Sequence, residues 1–309
     1  MTTALITHPD WHDHVTPEGH PEQVARLRHV LAALEGKDLL RVEAPLAEEA
    51  SILLAHPQSY LEAIRDAVPA RGLHQLDADT WMSPGSLTAA RRAAGGAVRA
   101  VDMVLGGEVR NAFVACRPPG HHAETARAMG FCLFGTVAIA AKHALEVHGL
   151  SRVAILDFDV HHGNGTEDLV KSDARIRFVS THQMPLYPGT GLPQDHGPHG
   201  TITNIALSAG TDGDLYRRLM TGRILPILRD FAPELVILSA GFDAHVDDPL
   251  ASIALTTEDF GWITAEVAAL AGEVCDGRIV SCLEGGYNLA ALAAASATHV
   301  DALIAAGAR

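Results

Sequence analysis

Cysteine is scarce and never closely paired: Cys116, Cys132, Cys275 and Cys282 are the only four in 309 residues, and no CxxC occurs. That excludes a disulfide framework and a thiolate zinc site of the finger or ribbon kind, so these residues read as reduced packing groups. Positive charge is also short. Lys and Arg number 23 against 37 Asp and Glu, a formal charge of −14. This argues against a general nucleic-acid binder, because no basic face offsets the excess of acids. The acidic balance suits solubility or a cationic substrate. The first residues show no basic segment leading into an apolar one, and no apolar run approaches the length of a membrane span, which predicts a cytoplasmic protein. Internal repeats and linker-like stretches are missing too, so a single domain over 1–309 is expected.

What is present is a 48% hydrophobic content arranged in short β-branched runs. They fall at 3–7, 111–116, 152–159, 175–180, 201–207, 234–240 and 278–284. Most are continuous rather than alternating, the pattern of strands covered on both faces. Helical periodicity lies between them. Val24, Leu27, Leu31 and Leu34 share a face in 22–34, and Ser83 with Pro84 offers a start for a helix that Gly106-Gly107 ends. Thr256 with Asp259 forms a possible capping box, and the Ala-rich tail from Leu289 reads as a final helix. Alternation of this kind predicts an α/β fold with a mainly parallel sheet flanked by helices.

In such sheets ligands bind beyond the carboxyl ends of the strands. Four runs end there in polar, titratable motifs: "RPPGHHA", "DFDVHHGNGT", "GFDAH" and "EGGYN". Asp159 and His161 are two apart, hence on one side of an extended chain. With Asp243 they make an oxygen and nitrogen donor set suited to Zn²⁺ or Fe²⁺, and three protein ligands leave a position open, the catalytic arrangement. His121 and His122 can face a water at that position, one taking its proton and the other staying cationic. Each needs an orienting partner, and Asp157 and Asn164 are available. Tyr287, after two glycines, can donate to an oxyanion.

Together these motifs, in this order, resemble the class II histone deacetylases and their bacterial relatives, the histone deacetylase-like amidohydrolases and acetylpolyamine amidohydrolases. "GHPEQVARL" and "DADTWMSPG" also look like the family's N-terminal segments, so the resemblance covers nearly the whole chain. It implies the arginase/deacetylase fold, with a central parallel sheet of about eight strands. It also implies zinc held by Asp159, His161 and Asp243, His122 as general base and then acid, His121 as electrostatic partner, and Tyr287 as carbonyl donor. Asp157 would orient His121, and Asn164, where class I enzymes tend to have Asp, would orient His122. Asp79 would hold the substrate's backbone or amine. Gly130 and Phe131 of "GFC" and Tyr187 of "YPGTG" would line an acyl-lysine tunnel; the family more often has Phe at the Tyr187 position. A structural potassium ion would use Asp157, Asp159, His161 and Ser180.

The implied activity is metal-dependent removal of acetyl or a related acyl group from an acylated primary amine. Leu250, at a place where polyamine enzymes often put an acid, tilts this toward acyl-lysine over acetylpolyamine. An arginase-like ureohydrolase would need DxHxD, which is missing, and a metal-free binding protein of the same fold would be expected to have lost catalytic positions. The N-terminal histidines His8, His12, His14 and His20 read as solvated. A homo-oligomer whose neighbouring loops shape the tunnel mouth is compatible with the chain.

Overall fold

The computed structural model describes residues 2–308. Its strands are β1 (Thr3–Thr7), β2 (Leu40–Glu43), β3 (His74–Gln75), β4 (Trp81–Met82), β5 (Asn111–Val114), β6 (Val153–Asp157), β7 (Ile176–Gln183), β8 (Ile202–Leu207), β9 (Leu235–Ala240) and β10 (Ile279–Leu283). Eight of them form one sheet in the order β2-β1-β5-β10-β9-β6-β7-β8. Every pairing in it is parallel. The remaining two, β3 and β4, make a small antiparallel pair.

The continuous apolar runs follow from coverage of both faces. Val153, Ile155, Leu235 and Ile237 enter one core, while Ala154, Leu156, Val236 and Leu238 enter the other. Successive side chains point to opposite faces, so a strand buried on both sides needs an apolar residue at every position. β2 escapes the sequence pattern for the opposite reason. It is an edge strand whose Leu40, Arg41 and Glu43 are exposed, and only Val42 is partly covered. β3 and β4 are too short to carry any periodicity.

Helix ends agree in part. The capping box of Thr256 and Asp259 opens the helix Thr257–Val274, and Asn288 caps the final helix Leu289–Gly307. Ser83 does not cap. The helix begins later, at Ser86, and the Ser83 hydroxyl donates to Asp13 O (2.6 Å) while accepting from Val15 N (2.9 Å), tying the N-terminal segment down instead. Contrary to the expectation that no apolar run approaches the length of a membrane span, Leu289–Gly307 is long and apolar enough to cross one by length and composition alone. Here it buries Leu292, Val300 and Leu303 in the core, together with His299, which bonds Thr264 Oγ1 (2.6 Å) and Ser281 Oγ (2.9 Å).

The N-terminal segment also departs from expectation at His14 and His20. His14 is buried, with Nε2 3.3 Å from Glu22 Oε2 and Nδ1 2.7 Å from Ser86 Oγ. His20 sits at the rim of the site described below, with Nε2 2.9 Å from Asp79 O. Periodicity placed Glu22 at a helix start. The helix instead spans Ala25–Ala33, and Glu22 pairs in the interior with Arg117 (2.6 Å) and Arg26 (3.0 Å). None of these three is exposed to solvent.

Burial opposes ionisation of Glu22, but Arg117 and then His14 outweigh it and hold the carboxyl well below its ordinary range. A depressed carboxylate contributes stability that is complete above its unfolded pKa, about 4.3, and is lost as pH falls toward the folded value. Glu22→Gln should therefore cost about 3–5 kcal/mol at neutral pH, because two arginines lose a buried partner. Urea unfolding at a series of pH values measures this. The variant should lose less stability than the parent as pH drops below about 4.3, and parallel curves would refute the assignment.

Candidate active site

The segment "DFDVHH" is built by alternation that continues past the end of β6. Phe158 and Val160 go into the apolar core, which turns Asp157, Asp159 and His161 the other way, onto the rim. Backbone amides fix the acids: Asp157 Oδ1 accepts from Asp159 N (3.1 Å), and Asp159 Oδ1 accepts from His161 N (2.9 Å). Asp243, just beyond β9, accepts from Val160 N (2.8 Å), which stitches the two strand ends together. Gly285, beyond β10, donates its N–H to Asp159 Oδ2 (2.8 Å). A side chain at 285 would run into both Asp159 and Asp243, so only glycine lets this backbone come so close.

His161 Nδ1 lies 3.1 Å from Asp159 Oδ1 and 3.1 Å from Asp243 Oδ2. The donor atoms of Asp159, His161 and Asp243 all fall within 4.8 Å of one another, and all three residues are buried. Burial pushes the Asp243 carboxyl up to about 7, with the Asp159 charge adding to it. His161 goes the other way: burial lowers it, but Asp159 and Asp243 raise it to about 10. Two buried carboxylates thus compete for one imidazolium, a surplus of negative charge that a divalent cation on the same three atoms would neutralise. Two oxygens and one nitrogen fit zinc or ferrous iron. His162 stands apart, bonding Thr190 Oγ1 (2.8 Å) and Glu167 Oε2 (3.0 Å), away from this cluster.

His121 and His122 follow β5 through "RPPG", and their rings lie 3.9 Å apart between centroids. Glu284 Oε2 accepts from Gly120 N (2.7 Å) and His121 N (3.2 Å), so the loop is held from β10. His121 Nδ1 is 3.0 Å from Asp157 Oδ2, and His122 Nδ1 is 2.7 Å from Asn164 Oδ1. Asn164 in turn donates to Glu124 Oε1 (2.8 Å), which assigns its oxygen to the histidine side. His122 must then carry its proton on Nδ1, leaving Nε2 as the acceptor. The two imidazoles are driven apart. Burial opposes charge on His121, yet Asp159 and Asp157 hold it well above its ordinary value. Burial, then the neighbouring His121 and His161, hold His122 well below.

His122 and His161 of these groups line a cavity of about 230 Å³ together with Asp79, Gly130, Phe131, Leu186, Tyr187, Leu250 and Tyr287. Phe131 meets Tyr287 edge-on at 5.8 Å, and Tyr187 meets His122 at 5.2 Å. Phe131 has φ 68° and Gly130 φ 55°; Gly130 lies against the His122 ring, where any side chain would collide. Asp79 accepts from Gly130 N (3.2 Å) and Thr80 Oγ1 (3.1 Å), which fixes its carboxylate at the rim. The Tyr287 backbone is anchored by its N–H to Asp248 Oδ2 (2.6 Å), and its ring lies under the Arg26 guanidinium (4.9 Å). Burial pushes the Tyr287 phenol well up, against the pull of Arg26, so it stays protonated at neutral pH.

Every residue singled out from the sequence for the metal, the histidine pair and the cavity therefore gathers in one place. Ser180 lies one strand over, paired in register with Asp157. Sequence reasoning missed Leu186 in the cavity wall, and it missed the supports Glu22, Arg26, Asp248 and Glu284. Glu22 and Arg26 were visible as an i,i+4 pair, but nothing local said that the pair was buried.

Known proteins resemble this chain along most of its length. Residues 20–303 match the histone deacetylase domain. A "Probable deacetylase" of Archaeoglobus fulgidus is 38% identical over 94% of this chain and 82% of its own length. The "Histone deacetylase-like amidohydrolase" of Pseudomonas aeruginosa is 39% identical over 87% of this chain and 72% of its own length. Among solved structures, the HDA15 HD domain superposes with a TM-score of 0.93 at 32% identity, covering 98% of this chain and 88% of that one. By domain match, by sequence relatives and by fold, the chain belongs to the histone deacetylase family of hydrolases.

Proposed function

We propose that the chain is a zinc-dependent amidohydrolase that removes acetyl or a related acyl group from acyl-lysine-type substrates or other acylated primary amines. One observation carries this reading. Aromatic rings of Phe131, Tyr187 and Tyr287 line one cavity together with His122 and His161, beside the buried donor set of Asp159, His161 and Asp243, which suits an acylated amine whose amide lies next to those donors. Bound at Asp159, His161 and Asp243, zinc would supply a Lewis acid and lower the pKa of water; ferrous iron fits the same donors.

The protein's own groups account for the proton movements. His122, neutral with Nε2 free, takes a proton from the attacking water as its oxygen bonds the carbonyl carbon. The Tyr287 O–H donates to the carbonyl oxygen as charge builds there. His122 then passes its proton to the amine nitrogen as the C–N bond breaks, and the water's second proton follows to the released amine, so water and amide become carboxylate and ammonium. His121, held cationic against Asp157 and Asp159, stabilises the developing negative charge. Asn164 is a positioning residue that fixes the His122 tautomer.

Asp79 at the rim would accept a backbone N–H or an amine from the substrate. Leu250, apolar at the mouth, favours acyl-lysine over acetylpolyamine. The formal charge of −14 suits either cationic substrate. A potassium ion would sit where Asp157, Asp159 and His161 approach Ser180, partly on backbone oxygens. We place the enzyme in the cytoplasm.

Tyr287→Phe and His122→Ala should each lower kcat about 10²–10⁴-fold with the fold intact, and retained turnover in either would overturn the mechanism. Asn164→Ala should depress kcat far more than KM, since substrate contacts stay in place. The substrate class is tested with zinc-loaded enzyme on an acetyl-lysine peptide, N-acetylputrescine, N-acetylcadaverine and a trifluoroacetyl-lysine reporter, with and without a hydroxamate. Hydroxamate-sensitive cleavage with the lysine peptide ahead is the expected outcome. A lead for the two acetyldiamines would reassign the substrate, and zinc bound without any turnover would count against the reading.

A further inference from the structure

The end of the sheet opposite the active site carries a second cluster that the proposed reaction does not use. Asp102 lies in the last turn of the helix Ser86–Leu105, which leads into the amino end of β5. His143 lies in the last turn of the helix Thr136–Glu146, and His148 follows on the turn closed by Gly149 (φ 71°), before the amino end of β6. His143 Nε2 and His148 Nε2 both point at one oxygen, Asp102 Oδ1, each at 2.7 Å. The three donor atoms lie within 4.8 Å of one another.

We propose that Asp102, His143 and His148 form a second site for a divalent transition-metal ion, of zinc type, that clips the ends of these two helices together. Two imidazole nitrogens and a carboxylate oxygen are borderline donors, well matched to such an ion and poorly matched to calcium or magnesium. The alternative, two N–H donors crowded on one carboxylate oxygen, uses neither imidazole lone pair at the point of convergence. One ion at that point uses all three ligands. His143 is largely buried (9% side-chain exposure) and sets the inner wall, while His148 (27%) and Asp102 (37%) leave an outer face where water can complete the coordination. His143 Nδ1 has no partner, so this ring is held only through Nε2. Asp102 stays ionised: partial burial opposes it, but bonds from His143 and His148 hold its pKa below the ordinary value.

The test uses tag-free full-length protein, stripped with a chelator and equilibrated with zinc alone. Bound metal is counted by elemental analysis, and thermal unfolding is followed in parallel. The parent should hold two equivalents of zinc and His148→Ala one, with deacetylation of the reporter unchanged in that variant. Zinc should also raise the Tm of His148→Ala less than that of the parent, because one stabilising ligand is gone. Because His148 is partly exposed at a turn, its removal leaves the core intact, and equal Tm values in chelator verify this. Asp243→Ala separates the two sites: with the active-site ligand removed, the remaining equivalent should disappear only when His148→Ala is added. A His148→Ala variant that binds as much zinc as the parent, or an Asp243→Ala variant that binds none, overturns the second site.

Discussion

Buried negative charge at the carboxyl rim of the sheet is the constraint around which the rest of the molecule is arranged. Asp157, Asp159, Asp243 and Glu284 are all buried, with no more than 1% of their surface exposed. Carboxylates withdrawn from water this completely are tolerated only with cations and N–H donors around them. Amides of residues 159, 160, 161, 120, 121 and 285 supply the donors. His121 and His161 supply part of the positive charge, and the remaining surplus is why we propose the Asp159, His161 and Asp243 trio as the place for a metal.

The same constraint explains why the segment from Trp11 to Arg26 reaches into the centre. Arg26 donates to the carbonyls of Glu284 and Gly286 and covers the Tyr287 ring. Arg117, just before the histidine pair, donates to Glu22 and to the carbonyls of Trp11 and His14. The loop bearing Tyr287 and the loop bearing His121 and His122 are thereby held by one buried ion-pair network whose anion, Glu22, comes from the N-terminal segment. His20 extends that segment to the mouth, edge-on to Phe131 at 4.8 Å. Precision at the reacting groups depends on such supports, because a side chain is only as well placed as the loop that carries it.

Much of this was legible in the chain. Continuous apolar runs marked the inner strands because both of their faces are buried, and polar motifs at the ends of four of them marked the rim. Where a side chain's neighbours are decided by pairing rather than by local pattern, legibility stopped. β2 was hidden because an exposed edge strand needs no apolar face. Ser83 resembled a cap, but its hydroxyl is taken by the N-terminal segment. His14 resembled a solvated residue until the structure showed Ser86 and Glu22 beside it.

The sequence by itself determined the fold class, the family resemblance and the set of rim residues, because alternation along one strand and the order of motifs are properties of the chain alone. Only the tertiary structure decided which partner each residue meets. Glu22 meets Arg117 and Arg26, Glu284 holds the loop of His121, Asp102 gathers His143 and His148, and Leu186 joins the cavity lining, through contacts that are mostly between segments distant in sequence. The physical reason is that the sign and strength of a buried charge's interactions depend on distances across the sheet, and those distances exist only once the strands have paired.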